Sequence, residues 1–396
     1  MNSMSNQLLF KTFFSKLRVG LFWVAPLLFL NIYQAFAAEA EKTRVWSDIF
    51  DGWDKEPLCG TDSSPLPPAF FQQGPRLQSG GGGGLVVTKD GTKYISLGTA
   101  VSRITPSGRV ELLAGTPGLA GYRDGSADKA LFNGISIISL GLKGEIYLLE
   151  QSNRCLRYLV PLPSGLWQVK TLVGSPNKKK ERHDGTIEEA TFENPCGMTL
   201  FDDGSILFMD NNFLRVFKDG KLTTVNTEGG RGFADGALVS AKFQIILTSN
   251  CITSDGRNTI YIADMWNNVM RKIDWKKQEI STVVGGPIRS DPKAKEIRSG
   301  RDPLQDGQGM EAFFHPGGGI SSVWYDRRSN NVYIGVADDN YPHVYSPDGW
   351  LRSLKSDIPI ASDEEGRVYT SGKTGVHIFH KLKPDEKPYQ PEVIPP

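Results

Sequence analysis

The sequence predicts an all-β fold in which one small sheet recurs along the chain. Three observations lead to this prediction. Gly (43 residues) and Pro (24 residues) are abundant in the 396-residue chain, as in proteins with many tight turns. One spaced motif, Asp-Gly-x4-Ala-x-Phe, occurs four times. Short apolar runs bounded by turn residues follow one another, whereas no helical period is found beyond the N-terminal segment. Small repeated sheets protect their edges when they are arranged radially, so we expect a β-propeller.

Composition excludes several classes of protein. The chain is 39% hydrophobic and 22% charged, which is ordinary for a globular protein and unlike a disordered chain, a coiled coil or a multi-span membrane protein. The 45 Lys and Arg residues nearly balance the 44 Asp and Glu residues. The chain therefore has no overall positive charge that would attract nucleic acid, and we expect no nucleic-acid partner.

The N-terminal segment 1–37 has the pattern of a signal peptide. Three cations precede the apolar run Val19–Leu30, and Ala35-Phe36-Ala37 places small residues where a signal peptidase reads them. We expect cleavage after Ala37 and a secreted or periplasmic protein. The alternative is an uncleaved anchor extending through Ala38, the one arrangement in which membrane contact is expected.

The four copies of the motif start 60, 51 and 71 residues apart, so the unit is constant while the connections vary. Asp can accept backbone N–H bonds in a turn, Gly supplies a positive φ, and Ala permits close backbone approach. Phe supplies a large apolar surface to bury. We therefore expect a structural role for the Asp, Gly and Phe of each copy: Asp124, Gly125 and Phe132; Asp184, Gly185 and Phe192; Asp235, Gly236 and Phe243; Asp306, Gly307 and Phe314.

A second recurring feature is a turn followed by an apolar strand, usually with a tyrosine in the same place. It predicts six blades, at about 85–115, 135–174, 196–226, 247–285, 316–354 and 357–380. The last blade lacks a clear fourth strand, which we expect from 67–78 or from the Pro-rich tail. The domain organisation is then an N-terminal extension (38–84) leading into the propeller (85–380), followed by the tail (381–396). The alternative is a pair of β-sandwiches.

These residues resemble the NHL repeat. The fullest copy runs from Asp235 to Ile273 and contains a D-G turn, then Y-I-A-D, an Asn and R-K-I. The family has a strand-end Asp, for which this chain has Glu150 in one unit and Val336 in another. The resemblance implies a six-bladed propeller that binds partners. Some relatives with similar folds are lyases or lactonases, so the fold alone does not fix the function.

The chain has four cysteines outside the signal segment, and none stands in a C-x-x-C pair. Two disulfides with three possible connectivities, or buried free thiols, both fit this count. The possible disulfide cysteines are Cys59, Cys155, Cys196 and Cys251.

The five histidines give no pattern of metal ligands. His315 occupies a slot in the motif, and His377 and His380 lie three apart on one strand, which points them to opposite faces. No H-E-x-x-H, G-x-S-x-G or P-loop signature occurs. The sequence therefore predicts no catalytic residue, no metal site and no cofactor.

The densest basic run is the best candidate binding surface. Such a run is usually a solvated loop, but in a propeller a loop that leads into an inner strand lies on one face. The expected binding residues are Lys178, Lys179, Lys180, Arg182 and His183. A second candidate is the polar insertion 287–305. We expect a recognition scaffold for a protein or cell-surface ligand. The alternatives are a lyase or lactonase with an axial metal, and a sensor or assembly scaffold tethered by the N-terminal segment.

Overall fold

The structure, a computed structural model, describes residues 53–57, 84–96, 98–245, 250–285, 306–312, 314, 319–336, 341–354, 356, 358–363, 366–372 and 375–381. For 53–57 and for the residues beyond 370 the description covers the backbone. The signal segment, Cys59, His315, the insertion 287–305 and both segments 67–78 and 384–396 lie outside the described residues. Within the described ranges, no helix has the length and apolarity that a membrane crossing requires.

The first described strand is β1 (Trp53–Pro57). The other strands form sheets that we number I to VI along the chain. Sheet I contains β2 (Leu85–Val87), β3 (Lys93–Ser96), β4 (Ala100–Ile104) and β5 (Val110–Gly115). Sheet II contains β6 (Gly125–Ser126), β7 (Ile135–Leu140), β8 (Ile146–Glu150), β9 (Cys155–Pro161) and β10 (Trp167–Gly174). Sheet III contains β11 (Gly185–Thr186), β12 (Pro195–Leu200), β13 (Ile206–Asp210), β14 (Phe213–Lys218) and β15 (Lys221–Thr224).

A two-stranded parallel pair, β16 (Gly230–Arg231) with β18 (Lys242–Phe243), precedes the long strands of sheet IV. Sheet IV contains β17 (Gly236–Ala237), β19 (Ile252–Ser254), β20 (Thr259–Asp264), β21 (Val269–Asp274) and β22 (Glu279–Gly285). Sheet V contains β23 (Gly307–Gln308), β24 (Ile320–Asp326), β25 (Asn331–Val336), β26 (His343–Tyr345) and β27 (Trp350–Ser353). Sheet VI contains β28 (Ile358–Ser362), β29 (Val368–Gly372), β30 (Gly375–Lys381) and β1. Within the described ranges the helical turns are three short 3-10 segments, Leu238–Ser240, Met265–Asn267 and Gly309–Glu311.

The innermost strands of the six sheets contact one another in chain order, and the order closes on itself. β2 contacts β7, β7 contacts β12, β12 contacts β19, β19 contacts β24, β24 contacts β28, and β28 contacts β2. Successive sheets therefore surround a common axis, which is the arrangement of a propeller. The predicted all-β propeller fold is confirmed.

Each sheet has two ends with different loops. In sheet II the register pairs Ile135 with Glu150, Glu150 with Cys155, and Cys155 with Gly174, so these residues lie at one end. At this end lie the turn after the second long strand and the connection to the next sheet. We call it the loop face. The Asp-Gly turns between the first and second long strands lie at the opposite end, which we call the turn face. In sheet III, for example, Asp203 Oδ1 accepts the Ser205 N–H at 2.9 Å and Gly204 has φ +85°.

The outer edge of sheets II to V is formed by the repeated motif itself. Its Gly begins a two-residue strand (β6, β11, β17 or β23) that pairs with the last strand of the sheet. The four motif phenylalanines are at most 1% exposed: Phe132, Phe192, Phe243 and Phe314. Phe132 packs on the preceding sheet, where a Cβ on Gly115 would lie 2.7 Å from its ring. The motif thus joins consecutive sheets.

The fourth strand of sheet VI comes from the segment that precedes sheet I in the chain. β1 pairs antiparallel with β30, with Trp53 opposite Lys381 and Pro57 opposite His377. The expectation that 67–78 or 384–396 supplies this strand was therefore wrong. The sequence of β1 has three consecutive charged residues (54–56), which suits an outer edge strand but hides it from a search for apolar runs.

Candidate functional site

Sheets II, III and IV each bury one arginine completely, on their third long strand, between two carboxylates. In sheet IV, Arg271 lies 2.6 Å from Asp235 of the motif and 3.0 Å from Asp264, the residue that ends β20. The equivalent pairs are Arg157 with Asp124 (2.6 Å) and Glu150 (3.0 Å), and Arg215 with Asp184 (2.9 Å) and Asp210 (2.8 Å). We call this recurring group the arginine clamp.

The remaining bonds of the clamp connect separate segments of the sheet. Arg271 also donates to the carbonyls of Ala234 (2.6 Å) and Lys242 (3.2 Å), and its guanidinium lies 5.4 Å from the ring centre of Phe243. Asp264 accepts the backbone N–H of Gln244 at 2.8 Å, ahead of the inner strand. The clamp therefore ties the outer motif, the third strand and the inner loop together. Its acids and cations are occupied by these structural bonds.

The motif Asp has a second set of partners that sequence reasoning missed. It accepts the backbone N–H of a hydroxyl residue on the last long strand of its sheet, and in three sheets it also accepts the hydroxyl. These residues are Thr171 (N–H, 2.9 Å), Thr224 (2.8 Å), Thr282 (3.0 Å) and Ser353 (2.9 Å). The recurrence of Ser or Thr at this one position in four sheets was a sequence signal for a partner of the motif Asp.

Sheet V replaces the clamp with a smaller pair. His343 stands where the other sheets have Arg, and Val336 stands where they have the strand-end carboxylate. The Nδ1 atom of His343 lies 3.3 Å from Asp306 Oδ1, and both side chains are fully buried. Phe314 contacts the imidazole edge-on, with 5.9 Å between ring centres. With no guanidinium in this sheet, a carboxylate at position 336 would be a buried charge without its counterion, and Val336 carries no charge.

Burial dominates the protonation of the strand-end carboxylates. It raises the pKa of Glu150, Asp210 and Asp264, against the opposing effect of the paired arginine in each case. For Asp264 the pKa rises from 3.8 to about 6. The folded protein therefore holds this proton more tightly than the unfolded chain does.

The raised pKa of Asp264 predicts that its contribution to the free energy of unfolding depends on pH. The stabilisation linked to its proton is complete below the unfolded pKa of 3.8 and is lost as the pH rises through about 6. Asp264→Asn does not titrate. We therefore expect the unfolding free energy of the wild type, minus that of Asp264→Asn, to fall by about 2 kcal/mol between about pH 4.5 and pH 6.5. Urea denaturation across this range measures it.

The control is Asp274→Asn, at the end of β21. Its hydrogen bonds with Asn258 and Lys277 lower the pKa of Asp274, so its difference from the wild type should not fall as the pH rises. A difference for Asp264→Asn that stays constant or increases with pH would contradict the raised pKa.

A cleft of about 240 Å³ opens on the loop face between sheets II and III. Two segments meet there because the strands are antiparallel: the turn between β8 and β9, and the connection from β10 to β12. The lining residues are Gln151, Ser152, Arg154, Lys180, Glu193 and Asn194. The cleft thus combines two cations, one carboxylate, two amides and one hydroxyl.

Internal bonds fix the shape of this cleft. Arg154 has a φ of +50° and donates through Nη2 to the carbonyls of Pro176 (2.9 Å) and Lys178 (3.2 Å). Gln151 donates to the carbonyl of Pro195 at 3.4 Å. The basic loop is therefore held against the turn of sheet II by side-chain to backbone bonds.

The five predicted binding residues have different surroundings. Lys178 donates through Nζ to three carbonyls, among them that of Glu188, and so holds its own loop. The Arg182 guanidinium lies 3.8 Å from the ring centre of Phe213 and donates to a threonine. His183 exchanges backbone hydrogen bonds with a threonine of the motif and has an exposed side chain. Lys179 and Lys180 are exposed, and Lys180 lines the cleft.

The cleft residues outside the basic run were not predicted. Gln151, Ser152 and Arg154 follow the strand end of one repeat, and Glu193 and Asn194 precede the inner strand of the next. The available signal was their position along the chain. In an antiparallel sheet, residues that follow the second long strand and residues that precede the first long strand lie at the same end, here the loop face.

The structure describes three of the four cysteines and several of the histidines that the sequence analysis considered. Cys155, Cys196 and Cys251 are buried and carry free thiols. The backbone of β30 includes His377 and His380, while His343 belongs to the buried pair of sheet V. Among the residues that the structure describes, no three His, Cys, Asp or Glu side chains are grouped as metal ligands would be.

Comparison with known proteins gives a distant sequence relative. No protein-family model matches the chain. The chain is 23% identical over 206 residues to Protein SUPPRESSOR OF QUENCHING 1, chloroplastic, from Arabidopsis thaliana, a match that covers 50% of this chain and 19% of that protein. The chain therefore spans about a fifth of the length of this relative.

Solved structures are similar over most of the chain. An auxiliary nutrient binding protein from Bacteroides ovatus has a TM-score of 0.53 and 10% identity, covering 83% of this chain and 76% of its own. A protein of unknown function from Bacteroides thetaiotaomicron has a TM-score of 0.50 and 13% identity, with 83% and 75% covered. Virginiamycin B lyase from Staphylococcus aureus has a TM-score of 0.40 and 12% identity, with 77% and 86% covered. At these identities the likeness to the two Bacteroides structures concerns the fold alone, and it agrees with the β-propeller described above.

Proposed function

We propose that this chain is a six-bladed, NHL-like propeller whose loop face recognises a partner protein. In this proposal an acidic side chain of the partner enters the cleft beside Lys180. The observation that carries the proposal is the cleft itself, where polar side chains from two repeats meet in the open. The clamp residues are bound to one another instead and serve the scaffold.

The size of the cleft favours a protein partner over an enclosed small molecule. Sites that enclose a drug-sized ligand have volumes of about 300–1,000 Å³. The cleft measures about 240 Å³, enough for one side chain of a larger partner. The rest of that partner would contact the surrounding loop face.

Charge favours an acidic group on the partner. Lys179 and Lys180 are exposed, so their ammonium groups are available to a carboxylate. The Nε atom of Arg154, which also lines the cleft, is buried and makes no hydrogen bond within the described residues. An ion pair that forms on binding and is partly removed from water contributes more than an exposed pair in the free protein.

Two further observations support the proposal. The Bacteroides ovatus protein of similar fold is named as a nutrient binding protein, which supports a binding use of the fold in this chain. The signal-like segment 1–37 supports a location outside the cytoplasm, where a recognition scaffold meets external partners.

Charge reversal at the cleft should weaken binding to an acidic peptide. The probe is a fluorescein-labelled ten-residue peptide rich in Glu, and the measurement is fluorescence anisotropy at low ionic strength. We expect Lys180→Glu to raise the Kd by about tenfold, equivalent to about 1.4 kcal/mol, because an attractive pair becomes a repulsive one. Added salt should weaken the wild-type interaction.

The matched control is Lys143→Glu. Lys143 is an exposed lysine of sheet II on the turn face, so this variant has the same net charge but an unchanged cleft. Its Kd should equal that of the wild type. Equal weakening by both variants would show a non-specific charge effect, and an unchanged Kd for Lys180→Glu would contradict the proposed site.

A further inference from the structure

Two cysteines face each other across the contact between sheets III and IV. Cys196 lies in β12, and Cys251 comes directly before β19. Their Sγ atoms are 3.6 Å apart, and the residues are 1% and 0% exposed. The two inner strands contact each other around the axis, so the thiols stand at the junction of consecutive sheets.

A glycine makes this approach possible. Gly197 has φ +55° and lies at an irregularity in the register between β12 and β13. A Cβ at this position would lie 2.6 Å from the Sγ atom of Cys251. Any larger residue would displace Cys251, so the chain keeps a space beside Cys196 that the second sulfur fills.

We propose that Cys196 and Cys251 form a disulfide that joins sheets III and IV when the chain folds in the presence of a disulfide oxidant. The oxidant is a small-molecule or protein disulfide, such as oxidised glutathione. One cysteine thiolate attacks it, forming a mixed disulfide and releasing one thiol. The second cysteine thiolate then attacks the mixed disulfide at the protein sulfur and releases the second thiol. The two cysteines lose two electrons and two protons, and the oxidant is reduced to two thiols.

The surroundings of the pair determine when the bond can form. The hydrogen bond with Cys251 and burial raise the pKa of the Cys196 thiol. A protonated and buried thiol exchanges slowly, so the bond forms while the sheets are still coming together. The same burial then protects the finished bond from reductants.

Refolding under defined redox conditions tests the proposal. Reduced, denatured protein is refolded with a mixture of reduced and oxidised glutathione, and its thiols are then counted with a maleimide after denaturation. We expect two of the four thiols to disappear, and non-reducing peptide mapping should link the peptides of Cys196 and Cys251. The oxidised protein should melt several degrees above the reduced protein, because the bond constrains the unfolded chain.

Variants separate this pair from other pairings. Cys155→Ser removes a buried cysteine outside the pair, so it should form the same bond and show the same rise in Tm. Cys251→Ser should form no such bond and show no rise in Tm, while circular dichroism reports an unchanged β-sheet signal. A wild type in which Cys196 and Cys251 remain thiols, or a mapped bond from either of them to Cys59 or Cys155, would overturn the proposal.

Discussion

Replacing Arg271 by methionine is expected to lower the free energy of unfolding by about 3–5 kcal/mol. The side chain is fully buried and pairs with Asp235 and Asp264. Methionine fills a similar space, but it leaves two carboxylates facing each other without their cation. It also removes the donors for two buried carbonyls, those of Ala234 and Lys242. Urea denaturation followed by circular dichroism measures the loss.

The clamps of the other sheets give an internal repeat of this experiment. Arg157→Met and Arg215→Met should cost similar amounts, since both arginines are fully buried with the same types of partner. Lys276→Met, on the exposed turn that follows β21, should change stability by less than about 0.5 kcal/mol. A loss below about 1 kcal/mol for Arg271→Met would show that the clamp contributes no more than a surface pair.

Alanine at each motif phenylalanine is expected to cost about 3–5 kcal/mol, through lost burial and the cavity that remains. The four positions are at most 1% exposed, so all four variants should behave alike. The rings have different neighbours, however. Phe132 lies under Arg157, with 4.8 Å between the guanidinium carbon and the ring centre, and Phe192 lies 5.0 Å from Phe208. Equal costs would show that burial, and not one particular contact, is the shared task.

Exposed leucines provide the controls for the phenylalanine series. Leu142 and Leu166 are 68% and 66% exposed on turns of sheet II. Their replacement by alanine should change the free energy of unfolding by less than about 0.5 kcal/mol. Two or more motif positions that tolerate alanine at less than about 1 kcal/mol would contradict the equivalence of the four repeats.

The sequence predicted the sheets well because their strands follow local rules. Runs such as Ile206–Asp210 are apolar, short and preceded by a D-G turn, and each rule acts within a few residues. The predicted blades 85–115 and 135–174 coincide with the long strands of sheets I and II. The motif was also recognisable, because its spacing is fixed within nine residues.

The clamp and the cleft could not be predicted because they depend on pairing between distant segments. Asp124 and Arg157 are 33 residues apart, and the corresponding separations in sheets III and IV are 31 and 36 residues, so no fixed local spacing marks the pair. Lys178 looked available in a basic run, yet the fold turns its ammonium group onto backbone carbonyls. The cleft joins a turn of one repeat to the loop of the next, so no single segment contains its pattern.

The pairing of β1 with β30 has a consequence for biosynthesis. Nearly the whole described chain separates these strands, so the last sheet is completed only after the C-terminal strands have been made. Sheets I and VI share a buried cluster that includes Leu85, Ile95 and Tyr369. A nascent chain that stops before β28 leaves the sheet I side of this cluster in water, although sheets I to V have already been synthesised. Proteases and chaperones could then distinguish an unfinished ring from a closed one, because only the unfinished ring exposes this apolar surface.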